Sequence, residues 1–203
     1  MRNAPLSAAL VSGGFADPVY QSQDAFRQIM DAFAAPGTIA SLPHPVEAPA
    51  PLPPAAAVLL LTLADADAPI FLDASMASGA AAGWLGFHTG ADITPVPRDA
   101  AFALLAEGSD PAGWARFALG TDSYPDRAAT LILPVESLEG GAPLSLAGPG
   151  IETTRLLAPR GLPAGFLAAR AANAALFPRG HDLVLVCGSR LVALPRTTLI
   201  REA

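Results

Sequence analysis

Three short segments group polar side chains or backbone donors closely enough to act together. Phe87-His88-Thr89 sets an imidazole beside a hydroxyl. Pro195-Arg196-Thr197-Thr198 sets an arginine fork beside two hydroxyls, a composition suited to phosphate or carboxylate recognition. Gly148-Pro149-Gly150-Ile151 can turn backbone N–H groups toward an anion. Each segment also has a plainly structural reading. His88 and Thr89 would close a helix, where a histidine complements the dipole, and glycine–proline pairs are turn punctuation. Arg196 would equally serve a salt bridge or a subunit contact. The candidate ligand- or partner-binding residues are therefore His88, Thr89, Arg196, Thr197 and Thr198, and no residue is assigned a catalytic role.

Much chemistry is excluded by what the chain lacks. All 12 basic residues are arginine. Without lysine there is no Schiff base to pyridoxal phosphate, no Walker lysine and no lysine general base. His44, His88 and His181 are scattered, with no HExxH, HxH or CxxC spacing, so no metal site is expected and each reads as a turn or structural histidine. No GxSxG elbow and no dinucleotide fingerprint occurs. Cys187, the single cysteine, lies in a strand pattern and reads as a small buried hydrophobe; it can form no intramolecular disulfide.

The elements that must position these groups follow from periodicity. Residues 1–20 show none, and 1–15 read as an irregular N-terminal arm of one domain spanning 1–203. Ser22 reads as an N-cap, followed by Phe26, Met30 and Phe33 at helical spacing with Ile29 beside them, up to the stop at Pro36-Gly37. A short strand is expected over 38–42, then an extended proline-rich connection over 43–54. Residues 55–64 are apolar on nearly all sides and predict a buried helix. Further strands are expected over 70–73, 101–106, 129–135, 144–147 and 155–158, and helices over 77–87, 111–119 and 163–176. The last of these carries Phe166, Leu167 and Arg170 at helical spacing. At the end, two β-rich runs over 182–187 and 190–194 flank Gly188-Ser189, the signature of a hairpin. Strands alternating with helices predict an α/β class with a mixed sheet whose last two strands are antiparallel.

Composition bounds the partners. The chain has 203 residues, 18 acidic and 12 basic, for a net charge of −6, and a pI of about 4.9. It lacks the basic surface of a general nucleic-acid binder. Its longest apolar run, ten residues over 55–64, is too short to cross a bilayer. The apolar patch over 8–11 is too weak for a signal peptide, and the chain reads as a soluble cytoplasmic protein. Only 15% of its residues are charged. Alanine in place of polar surface residues explains part of this, and surface buried against partner subunits would explain the rest.

Taken in order, a series of segments resembles the PhnH family of the bacterial carbon–phosphorus lyase system. They are Phe15-Ala16-Asp17-Pro18, Phe26-Arg27, Pro36-Gly37, Leu60-Leu61-Thr62-Leu63-Ala64-Asp65, Phe87-His88-Thr89, Gly120-Thr121, Ala129-Thr130-Leu131-Ile132-Leu133, Gly148-Pro149-Gly150-Ile151, Phe177-Pro178-Arg179-Gly180, and the run from Asp182-Leu183-Val184 to Pro195-Arg196-Thr197-Thr198. The stretch over 43–54 and Gly79-Ala80-Ala81-Ala82 match less well. The resemblance implies a three-layer α/β/α fold similar to the pyridoxal-phosphate-dependent transferases but without the cofactor site, so no cofactor is expected. It implies a homodimer that joins PhnG-, PhnI- and PhnJ-like subunits in a core complex. With an ATPase-like subunit, that system replaces the adenine of ATP by a phosphonate, giving a ribose 1-phosphonate 5-triphosphate. A separate iron–sulfur subunit breaks the carbon–phosphorus bond; one cysteine cannot hold such a cluster. The implied function is thus an accessory, non-catalytic subunit in phosphonate catabolism. Two rivals stand beside it: a nucleotide- or phosphonate-binding protein using the Arg/Thr anion site, and a stand-alone enzyme of the transferase fold.

Overall fold

Pro18 sets the start of the first long helix. The computed structural model describes residues 8–77 and 79–203. After a single helical turn, α1 (Ala8–Val11), Asp17 caps α2 (Pro18–Ala34) by accepting the Tyr20 N–H at 3.4 Å. Proline needs no N–H donor at the first helical position. The chain then forms β1 (Ala40–Ser41), an extended connection, and α3 (Pro54–Leu63), whose residues from Ala55 to Leu60 are buried on every side. Next come β2 (Ile70–Leu72), α4 (Ala74–Ala77) and α5 (Ala80–Thr89), then β3 (Phe102–Leu104). A 3-10 turn over Pro111–Arg116 precedes β4 (Thr130–Pro134), β5 (Leu144–Ala147), β6 (Arg155–Leu157) and α6 (Phe166–Ala174). The chain closes with β7 (Asp182–Cys187), β8 (Arg190–Leu194) and β9 (Leu199–Glu202).

Six strands form one mixed sheet in the order β1-β8-β7-β4-β3-β2. β2, β3, β4 and β7 run parallel, while β8 and β1 are added antiparallel at one edge. The β7–β8 hairpin turns at Gly188-Ser189 with Cys187 opposite Arg190, and Gly188 takes the left-handed conformation that such a turn needs. Alternate residues of each strand face opposite sides, and both sides are buried. Ile70, Leu72, Leu104, Ile132, Val184 and Val186 join one core with α2, α3 and α5. Ala103, Leu131, Leu133, Leu183, Leu185 and Val192 join the other, with Trp114, Phe117 and Phe166. That second side is completed by a three-stranded antiparallel sheet, β6-β5-β9, whose Leu144, Leu146, Leu157 and Ile200 pack into the same core.

The expected mixed α/β class holds, with several local departures. The first helix begins at Pro18, capped by Asp17 rather than Ser22. Its buried face is Ala25, Ile29 and Ala32, whereas Phe26 and Met30 are exposed: α2 lies close on its neighbours through alanine, and the bulkier side chains are displaced to the flank. The helix expected over 77–87 is two helices, α4 and α5, and that over 111–119 is the tighter 3-10 turn. α6 starts three residues after Pro163, because Gly165 ahead of it is left-handed. The hairpin strands are not the last: β9 follows and pairs with β5, so β4 and β5, adjacent in sequence, lie in different sheets. Part of the layer expected to be helical is therefore sheet.

Candidate functional site

The expected site residues fall into two groups that share no contact among the described residues. Thr89 ends α5: its Oγ1 donates to the Leu85 carbonyl at 2.7 Å and accepts the Ala91 N–H at 3.0 Å, with Gly90 left-handed behind it. The His88 ring packs on Trp84 and Phe87, with ring centroids 4.7 Å and 5.1 Å away. Its buried Nε2 has no partner among the described residues.

Arg196 lies at the end of β8. Nε and Nη2 form a fork on Asp182 at 3.2 Å and 2.6 Å, Nη1 donates to the Pro125 carbonyl at 2.6 Å, and the backbone N–H also donates to Asp182 at 2.8 Å. The guanidinium is thus engaged within the chain, in a bidentate geometry that ties β8 to the start of β7. Thr198 is buried, its N–H donating to the Pro195 carbonyl at 2.9 Å, and its Oγ1 has no partner among the described residues. The Thr197 carbonyl backs onto Gly148.

The glycine segments join the architecture. Gly150 has φ +83, and a Cβ there would come within 2.1 Å of the Ala34 carbonyl oxygen. Gly37 donates to the Ala193 carbonyl at 3.2 Å, and Arg155 Nη1 donates to the carbonyls of Ala35 and Pro36 at 2.8 Å and 2.7 Å. Pro36-Gly37, Gly148-Ile151 and Pro195-Thr198 thus meet where α2 ends. A cation at that end satisfies carbonyls the helix leaves open.

A different cluster stands out on the opposite side of the sheet from α2. Arg170, on α6, is 3% exposed. Its Nη1 donates to the His181 carbonyl at 3.3 Å and its Nη2 to the carbonyls of Leu194 and Pro195 at 3.2 Å and 2.7 Å. None of these acceptors carries a charge. Burial pulls the Arg170 guanidinium down to about 10, against the attraction of Asp182. His181 is held by Asn173, whose side chain both donates to its carbonyl at 3.0 Å and accepts its N–H at 2.7 Å. Burial pushes the His181 imidazole down to about 4; its hydrogen bond to the Phe117 carbonyl opposes this, and Arg196 and Arg170 reinforce it. His181 is therefore neutral at pH 7. The local charge is two guanidiniums, Arg170 and Arg196, against one carboxylate, Asp182.

Arg170, His181, Asn173 and Trp114 line a cavity of about 230 Å³ whose remaining wall is apolar. Arg170 Nε, Trp114 Nε1 and His181 Nε2 are all buried without a partner among the described residues. Sequence reasoning missed this cluster. Arg170 follows Phe166 on the buried face of α6, and that spacing was the one available signal.

Two further cysteine and histidine placements are structural. Cys187 is half-buried, its Sγ donating to the Glu136 carbonyl at 3.3 Å. His44 sits in a left-handed turn with Nε2 3.2 Å from Asp24. Among the described residues, no group of three or more His, Cys, Asp or Glu side chains could hold a metal ion, and no helix is long and apolar enough to cross a membrane.

Residues 13–201 match the family model described as bacterial phosphonate metabolism protein (PhnH). The chain belongs to the PhnH family. Its similarity to the alpha-D-ribose 1-methylphosphonate 5-triphosphate synthase subunit PhnH of Rhizobium meliloti (strain 1021) is 47% identity over 193 residues, covering 95% of this chain and 96% of the relative. It is also similar to the putative C-P lyase subunit protein HtxG of Stutzerimonas stutzeri, at 32% identity over 180 residues, 89% of this chain and 86% of the relative. The PhnH match spans every element from α2 through β8, so the clasp at the end of α2 and the Arg170 cavity both lie inside it.

Proposed function

We propose that this PhnH-family chain is a subunit of a carbon–phosphorus lyase core complex. In that reading it supports formation of ribose 1-phosphonate 5-triphosphate from ATP and a phosphonate, as an accessory rather than a catalytic component. The observation that carries this is the 47% identity to a synthase subunit along nearly the full length of both chains. The absence of lysine, which removes any internal aldimine, fits an architecture akin to the pyridoxal-phosphate-dependent transferases that serves as scaffold. The reading places the chain in the cytoplasm, as a single domain and a homodimer, with PhnG-, PhnI- and PhnJ-like subunits as partners. An anion-binding role for Arg196, Thr197 and Thr198 would require Arg196 to exchange its bonds to Asp182 and Pro125, so the assembly reading takes precedence.

Co-expression with PhnG-, PhnI- and PhnJ-like proteins, followed by affinity capture on a tag carried by another subunit, tests it. The chain is expected in the captured complex, and alone it is expected to leave ATP with methylphosphonate unconverted. A chain that stays monomeric and is never captured, or that converts the pair by itself, would overturn the proposal.

A further inference from the structure

A helix packed on a core ordinarily turns polar side chains to solvent, and α2 departs from that. Its core face, Ala25, Ile29 and Ala32, is buried, yet Val19, Tyr20, Phe26 and Met30 are 63%, 69%, 47% and 38% exposed. Val19, Gln23, Phe26 and Met30 recur at steps of four, three and four, which places them within an arc of about 60°. Their row runs for about 17 Å, roughly three turns of helix, with Tyr20 and Arg27 on its outer flank. On the inner side it borders a depression against α3, lined by Ser22, Gln23, Phe26, Arg27 and Thr62. A second depression shares Ser22, reaches Leu61 and His88, and carries the surface on to the exposed Phe87 of α5.

Spacing and charge together specify what covers this face. The four-three-four period is the one a second helix matches when it lies alongside, side chains of one row seating between those of the other. A strand, whose side chains alternate with a period of two, has no such repeat. Gln23, the one polar member, is of the kind that fixes register in such a row. Aromatic residues, methionine and arginine are also the types enriched where proteins meet. Arg27 is the one guanidinium or carboxylate in either depression. It is exposed and makes no ion pair among the described residues. Asp24, three positions before it, is engaged by His44 at 3.2 Å. Arg27 therefore calls for a carboxylate from outside the chain. A second copy does not suit it: antiparallel pairing of two such rows about their midpoint sets Arg27 about 8 Å along the axis from its own twofold mate, on the same flank. Like charges so placed oppose association.

We propose that the exposed face of α2 seats an amphipathic helix of another subunit, its apolar row packed along Val19, Phe26 and Met30 and a carboxylate on its flank paired with Arg27. This rests on the subunit reading above and adds to it the surface used and the kind of segment that covers it.

Capture of the co-expressed chain on tagged PhnG-, PhnI- and PhnJ-like subunits tests this, with the ratio of captured to free chain compared among variants. Phe26→Gln and Arg27→Glu are each expected to lower that ratio at least about tenfold, the effect of losing one anchor of an interface. Gln28→Glu also adds a carboxylate, but at an exposed position turned away from the row, and is expected to leave the ratio within about twofold. Melting temperatures within about 2 °C of the native chain show that the variants are folded; Arg27→Glu changes only an exposed side chain. With p-benzoylphenylalanine in place of Gln23, light is expected to cross-link the chain to a helical segment of another subunit that carries Asp or Glu within one turn of the attachment. Capture of the native chain with undiminished capture of both variants would overturn this inference and leave the subunit reading standing. So would cross-linking to a second copy of this chain or to a segment without an acidic residue. A native chain that is never captured would overturn both.

Discussion

Acidification should weaken this fold in part through His181. In the folded chain its imidazole is held down at about 4, from an ordinary value of 6.5, chiefly by burial. The unfolded chain therefore takes up a proton between these values while the folded chain does not, so stability is full above about pH 6.5 and is lost as the pH falls toward 4. Summing the two titrations gives a loss of about 2 kcal/mol between pH 7 and pH 5, and about 3 kcal/mol by pH 4. For a chain of this size, 2 kcal/mol corresponds to a fall in melting temperature of about 4–8 °C. Other groups contribute their own pH dependence, so the measurement is a difference. Melting curves of the native chain and of His181→Gln are recorded at both pH values by circular dichroism. The variant starts from a lower melting temperature, having lost the bond to Phe117, but it should fall by about 4–8 °C less between the two pH values. Equal falls in the two proteins would refute the reasoning that the buried, neutral imidazole sets this part of the acid sensitivity.

Other substitutions probe the clasps that hold the elements together. Arg196→Met leaves Asp182 without its guanidinium partner and should cost about 2–3 kcal/mol in urea unfolding, somewhat under the range for a fully buried pair. Adding Asp182→Asn should recover at least about 1 kcal/mol of it; simple additivity would contradict the pairing. Gly150→Ala places a methyl against the Ala34 carbonyl at positive φ and should destabilise by about 3 kcal/mol or more, whereas Gly140→Ala, equally left-handed but with open space around it, should cost only about 1 kcal/mol. Thr89→Val deletes both hydrogen bonds that close α5 and should cost about 1–2 kcal/mol, read as an earlier urea midpoint.

Local pattern carried much of this protein by itself. The run of apolar residues in α3, the leucine- and valine-rich strands around Gly188-Ser189 and the proline and glycine punctuation determined those elements, because periodicity and backbone stereochemistry act within a few residues of chain. The absence of lysine closed off aldimine chemistry whatever the fold, since no packing can supply a missing functional group. Tertiary structure decided the rest. Phe26 and Met30 share a helical spacing with core residues, yet the close approach of α2 through Ala25 and Ala32 turned them outward. The Arg196 segment resembles an anion site in isolation; Asp182, fourteen residues away in sequence, makes it an ion pair. Arg170 looked like one more position on an amphipathic helix until β8 and the start of β7 surrounded it with uncharged carbonyls. Burial and charge balance depend on which distant segments meet, and no local spacing encodes that.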